Sequence, residues 1–198
     1  MAGEQPELFV LGGPNGAGKS TVAGVLLPNE LGVSSFVNAD LIAQALTPHA
    51  PESSAFGAGR MMLRRIRDLR EQRQTFGFET TLASKTFAPF LREAQQLGYL
   101  AHVLYVSLRN ADLAVSRVGI RVSRGGHNIP EDTVRRRFRR SLRNFFHLYL
   151  PLADTWTLCD NSGGALVDVA YGRANQEPVI VDQARWEHLR EQGVVNGQ

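Results

Sequence analysis

Apolar and β-branched runs fall at residues 7–11, 34–38, 75–82, 100–108 and 155–160. Between them, at 18–28, 39–46, 55–73, 86–97, 110–123 and 131–150, apolar residues return every three or four positions. The first set reads as strands buried on both faces, the second as helices with one apolar stripe. Strands that alternate with helices predict crossover units, hence an α/β fold with a mainly parallel sheet covered on both sides. Local chemistry marks several boundaries: Asn38 or Ala39 precedes "DLIAQAL", Pro130 starts "EDTVRRRF", and Gly98 follows "LREAQQL". Near the end, "NSGGA" and "YGRANQEP" flank "LVDVAY" and "PVIVDQ", which predicts a late hairpin or extra edge strands. A short helix, "ARWEHLREQ", closes this tail at about 165–192. No repeat or linker divides the chain, so residues 1–198 are read as one domain.

Charge sharpens this picture. The net charge of +3 hides a segment, Arg109 to Arg143, that carries ten arginines against Asp112, Glu131 and Asp132. Lys19 and Lys85 are the only lysines. Guanidinium groups fork onto phosphate, so an anionic partner is expected, either a small polyphosphate or a nucleic-acid backbone. The single cysteine, Cys159, excludes an internal disulfide and a multi-cysteine zinc site, and within "TWTLCD" it reads as a small buried thiol. No apolar run approaches the roughly 20 residues of a membrane span, and "MAGEQPE" has no basic stretch leading into an apolar one. A soluble cytoplasmic protein is expected.

One stretch carries direct chemistry. Gly13-Pro14-Asn15-Gly16-Ala17-Gly18-Lys19-Ser20, followed by Thr21, fits G-x-x-x-x-G-K-[ST] between a predicted strand and a predicted helix. Glycines admit positive φ and leave no Cβ in the path of an anion; successive amides and the helix N-terminus then converge on phosphate oxygens. In such a loop Lys19 neutralises the β- and γ-phosphates of ATP and the Ser20 hydroxyl ligates Mg²⁺.

Three further stretches bear on what receives the phosphate. Asp40, in "FVNAD", follows the second strand at the end where ligands sit in a parallel sheet. It reads equally as a base or metal-shell acceptor and as a helix cap. Glu79, Thr80 and Thr81 end the strand "FGFETTL", where a carboxylate leaving a buried strand needs a partner, such as a ligand or a metal's water. No run of four apolar residues ending in aspartate, as in motor-type ATPases, is present. The third, "SRVGIRVSRGGHNIPEDTVRRRFRRS", sets Arg117, Arg121 and Arg124 on one helical face and then breaks at "GGHNIP", the pattern of a hinged lid over about 117–137. His127 is expected to make a polar contact in that loop. In the next helix Val134, Phe138, Leu142, Phe145 and Tyr149 form the apolar stripe. Arg136, Arg140 and Arg143 oppose it and are expected in solvent; Arg135 and Arg137 flank it, within reach of a site.

Together, "GPNGAGKST", "NAD", "FETTL" and the arginine-rich stretch resemble the zeta-toxin-like P-loop kinases, in particular the small stand-alone members often labelled predicted ABC-type ATPases. The likeness covers about residues 8–160, and "NAD" is less acidic than the strand-2 signature of the toxins. It implies a P-loop kinase fold with sheet order 2-3-1-4-5. It also implies transfer of the ATP γ-phosphate, with Mg²⁺, to a sugar hydroxyl such as that of UDP-N-acetylglucosamine. By the same resemblance Asp40 is the catalytic base, Glu79, Thr80 and Thr81 contact the acceptor, and Arg124 and Arg137 sense phosphate with Arg121 beside them. Antitoxins of this family are separate helical proteins. Competing expectations are a nucleic-acid-binding ATPase or polynucleotide-end kinase, and a triphosphate sensor without chemistry.

Overall fold

The structure is a computed structural model that describes residues 5–29, 33–46, 55–126 and 128–194. Its strands are β1 (Glu7–Gly12), β2 (Phe36–Val37), β3 (Phe76–Thr80), β4 (Leu100–Ser107), β5 (Thr155–Asp160), β6 (Val167–Arg173) and β7 (Val179–Ile180). They form one sheet in the order β2-β3-β1-β4-β5-β6-β7. The first five are parallel and keep the order 2-3-1-4-5; β6 and β7 add antiparallel at the edge, the extra strands expected there.

The helices are α1 (Lys19–Asn29), α2 (Ala39–Leu46), α3 (Ala55–Glu71), α4 (Phe87–Gln96), α5 (Ala111–Ser123), α6 (Glu131–Asn144) and α7 (Gln183–Val194). Strand alternation sorts the core to the two faces of the sheet. Leu8, Val10, Phe76, Phe78, Val103, Tyr105, Trp156 and Leu158 pack with residues of α3, α4 and α7. Leu11 and Val106 face the other way, onto Ala23 of α1 and Ala114 and Val118 of α5. α6 serves both layers, giving Val134 and Phe138 to the second cluster and Leu142 to the first.

The helix expected over 131–150 stops being α-helical at Asn144 and widens into a π-turn, Phe145–Tyr149, then a 3₁₀ turn, Leu150–Leu152. Tertiary contacts hold this wider turn. Phe145 stacks on Tyr105 with centroids 4.4 Å apart, the Tyr149 hydroxyl donates to Ser84 O at 2.6 Å, and Asn144 Nδ2 donates to Leu82 O at 2.7 Å.

The register sets up the site. Leu11 of β1 lies beside Glu79 and Gly12 beside Thr80, so the glycine-rich loop leaves the sheet level with the carboxylate that ends β3. Asn38 and Asp40 follow β2 at the same rim.

Candidate active site

The loop after β1 folds as the glycines require. Gly16 has φ +79°, and a Cβ there would meet Ala114 O of α5 at 2.9 Å. Gly18 has φ +86°, and its Cβ would lie 2.7 Å from Asn161 Nδ2, which itself donates to Ala17 O at 2.8 Å. The loop is thus clamped between α5 and the segment after β5. α1 begins at Lys19; the amides of Thr21 and Val22 close back on Gly18 O at 3.1 Å, while those of Lys19 and Ser20, at the very start of the helix, have no carbonyl within it to bond. Asn15 is buried, and its Oδ1 has no hydrogen-bond partner among the described residues.

Lys19 is 6% exposed; its Nζ donates to Pro14 O at 3.0 Å and lies 3.6 Å from Glu79 Oε1. Burial lowers its pKa below the usual lysine value, and the carboxylates of Glu79 and Asp40 oppose that shift. Glu79 Oε2 accepts from Ser20 Oγ at 2.8 Å and from Asn38 Nδ2 at 2.7 Å. The partner that this strand-end carboxylate needs is therefore the lysine–serine corner of the loop. Thr80 and Thr81 accept the amides of Leu82 and Ala83 on their hydroxyl oxygens, which leaves each O–H free to donate. Leu82 takes a left-handed φ of +53°, rare for a leucine, and is held there by full burial and by Asn144.

Asp40 does not cap α2. The cap is Asn38, whose Oδ1 accepts from the amides of Asp40 at 2.8 Å and Leu41 at 3.4 Å. With capping done two residues earlier, the exposed Asp40 carboxylate is free to face the cleft.

That cleft, about 730 Å³, brings together Asn15, Gly16, Gly18, Lys19, Ser20, Thr21, Asp40, Glu79, Thr80 and Thr81 with Arg117, Arg121, Arg136, Arg137 and Arg140. Four arginine positions differ from expectation. Arg124 is exposed at the C-cap of α5 and does not line the cleft, because the chain turns away at Gly125, φ +82°. Arg136 and Arg140 line the cleft instead of pointing into solvent, because it wraps one whole flank of α6. Arg135, on the other flank, is held outside by Asp112 at 2.6 Å and Glu131 at 2.8 Å. Arg117 donates to the carbonyls of Asn161 at 2.7 Å and Ser162 at 3.2 Å, bracing the segment after β5. Asn38 was legible only as a helix boundary; the missed signal was its spacing of two before a rim aspartate. His127 lies outside the described residues. Cys159 is buried as expected, donates to Asp168 Oδ1 at 3.2 Å, and burial raises its pKa.

The oxygen donors suit Mg²⁺ shared with a phosphate chain. Among the described residues no group of three or more His, Cys, Asp or Glu could hold a metal alone. Mg²⁺ keeps much of its water and binds through one or two carboxylates plus substrate phosphates, which is what Ser20, Glu79 and Asp40 could supplement.

Sheet order, glycine loop and rim carboxylates define the class: this is a P-loop kinase fold. The Zeta toxin family matches residues 1–163, and the chain belongs to that family. An uncharacterized protein of Haemophilus influenzae is 29% identical over 126 residues, covering 64% of this chain and 88% of that one. The crystal structure of AvrRxo1-ORF1:AvrRxo1-ORF2 with sulphate ions superposes with a TM-score of 0.74 at 17% identity, over 94% of this chain and 64% of that one. The chain therefore spans just under two thirds of the length of the chain it matches there. The complex with ATP gives a TM-score of 0.76 at 18% identity, over 99% and 67%. PezAT, a chromosomal toxin–antitoxin system of Streptococcus pneumoniae, gives 0.62 at 15% identity, over 97% and 86%. Among the described residues no helix is long and apolar enough to cross a membrane.

Proposed function

We propose that the protein is a Mg²⁺/ATP-dependent kinase that moves the γ-phosphate onto a hydroxyl of a small anionic acceptor, a nucleotide sugar such as UDP-N-acetylglucosamine. The carrying observation is the charge of the cleft. Among the described residues Lys19, Arg117, Arg121, Arg136, Arg137 and Arg140 line it with two carboxylates, Asp40 and Glu79, and Asp132 lies 3.9 Å from Arg136. MgATP, of charge about −2, does not engage all of these cations, and a phosphorylated acceptor gives the others anionic partners where a neutral sugar does not.

In this reading the P-loop amides and Lys19 hold the triphosphate. Glu79, through Ser20, keeps the metal corner oriented; bound there, Mg²⁺ neutralises phosphate charge. Asp40 takes the proton from the acceptor hydroxyl as its oxygen bonds to the γ-phosphorus, and the bond from that phosphorus to the β–γ bridging oxygen breaks to release ADP. Arg121 and Arg137 neutralise the charge spread over the group in flight. The zeta-toxin family supports one partner more, a separate antitoxin protein. On α6 the arginines divide between cleft and outer flank, which favours a small acceptor over a nucleic-acid backbone.

The test is γ-labelled ATP with a panel of UDP-sugars and the matching neutral sugars. Label is expected on a UDP-sugar and on no neutral sugar, and Asp40→Asn should abolish transfer while keeping ATP binding and melting temperature. No labelled UDP-sugar, with ATP turnover indifferent to all of them, rejects the nucleotide-sugar acceptor.

A further inference from the structure

Asn38 stands where the two halves of the cleft meet. Its Oδ1 holds the first amides of α2, and its Nδ2 donates to the same Glu79 oxygen that Ser20 engages. The orientation is fixed chemically, since only the carbonyl end can accept backbone N–H and only the amino end can face a carboxylate. At 5% exposure the side chain has no room to swing out. Capping alone does not call for an amide here, because aspartate caps a helix as well as asparagine does. The demand for a donor comes from Glu79. A carboxylate at position 38 would also set a second acid directly against Glu79 beside Lys19.

We propose that Asn38 is a positioning residue: one amide ties the carboxylate that orients Ser20 to the helix that presents Asp40, so that the metal side and the acceptor side of the cleft hold a single geometry. This rests on the kinase reading above. It makes Glu79 a member of the metal side, coupled to the base through Asn38.

Asn38→Asp separates this role from capping. The cap is kept, and the new carboxyl faces Glu79. Affinity for β,γ-imido-ATP is measured by calorimetry with and without Mg²⁺ at a single neutral pH. Relative to the parent, the Mg²⁺-dependent gain in affinity of Asn38→Asp should fall about tenfold or more, because two like charges push Glu79 off Ser20. The double variant Asn38→Asp/Glu79→Gln restores a donor and an acceptor with reversed polarity and keeps one negative charge. It should recover at least half of the logarithmic loss. A gain for Asn38→Asp within about twofold of the parent, or a double variant no better than the single, overturns the role of Asn38. A parent that binds no magnesium nucleotide rejects the kinase reading itself, and this inference with it; a parent that binds, beside an Asn38→Asp with an unchanged Mg²⁺-dependent gain, rejects this inference alone.

Discussion

Removing Lys19 while leaving Glu79 in place gives a number that the structure can supply. The two charges lie 3.6 Å apart at 6% and 11% exposure. At an effective dielectric of about 20 that separation corresponds to about 4–5 kcal/mol of attraction. Methionine fills the space without the charge and recovers the lysine's own desolvation, several kcal/mol in size, while Glu79 keeps Ser20 and Asn38 as donors. The net loss for Lys19→Met should therefore fall at or below the low end of the range for a broken buried pair, about 2–3 kcal/mol. For a domain of this length that is a fall of about 4–12 °C in melting temperature. Adding Glu79→Gln removes the stranded charge, and the double variant should return to within about 4 °C of the parent. Scanning calorimetry of the parent, both singles and the double completes the cycle. Run again with MgATP at about 100 times its Kd, the parent should gain about 2.7 kcal/mol, and both lysine variants almost nothing. Additive losses across the cycle would show that the pair is not coupled. A full nucleotide response in Lys19→Met would refute the assignment of the loop.

The remaining expectations probe other parts of the molecule. Arg121→Ala and Arg137→Ala should each cut labelled transfer by about 100-fold, whereas Arg124→Ala, outside the cleft, should stay within about threefold of the parent. Phe145→Ala, at a fully buried ring stacked on Tyr105, should cost about 3–5 kcal/mol in denaturant titration with both rings of the stack no longer paired. Burial lowers the pKa of His102, against the pull of Glu7 and Asp154, so the unfolded chain takes the proton first. Its contribution is complete above about pH 6.5 and is lost as pH falls through the folded value, and His102→Phe, which keeps the stack on Phe9, should flatten that acid slope in melting experiments.

The layout of the fold was legible because its signals are local. Apolar runs, helix periods and the glycine-lysine-serine spacing each depend on neighbours in sequence, and β1 through β5 lie within a residue or two of the runs that mark them. What sequence could not supply was any assignment that depends on the far side of a contact. Asp40 reads as a base and as a cap with equal right until Asn38 is seen to hold the amides of α2. The π-turn at Phe145–Tyr149 has no mark of its own. It exists because Tyr105 and Ser84, distant in sequence, each hold one of its residues and Leu82 holds Asn144 just before it.

The arginines of α6 show the same limit most clearly. A helical wheel separates the apolar stripe from everything else, but it cannot tell a flank facing solvent from one facing a cleft. The difference is made by carboxylates on other elements. On one flank Asp112 of α5, together with Glu131, captures Arg135 and neutralises it. On the other flank Arg136, 3.9 Å from Asp132, joins Arg137, Arg140, Arg117 and Lys19 around a rim whose described carboxylates, Asp40 and Glu79, are fewer than its cations. The surplus therefore collects on one side of the helix, over the phosphate loop. A charge imbalance of this kind destabilises the bare protein through self-repulsion and is relieved by an anion. In the proposed reaction the same arginines that weaken the empty cleft would hold a second phosphorylated molecule beside ATP.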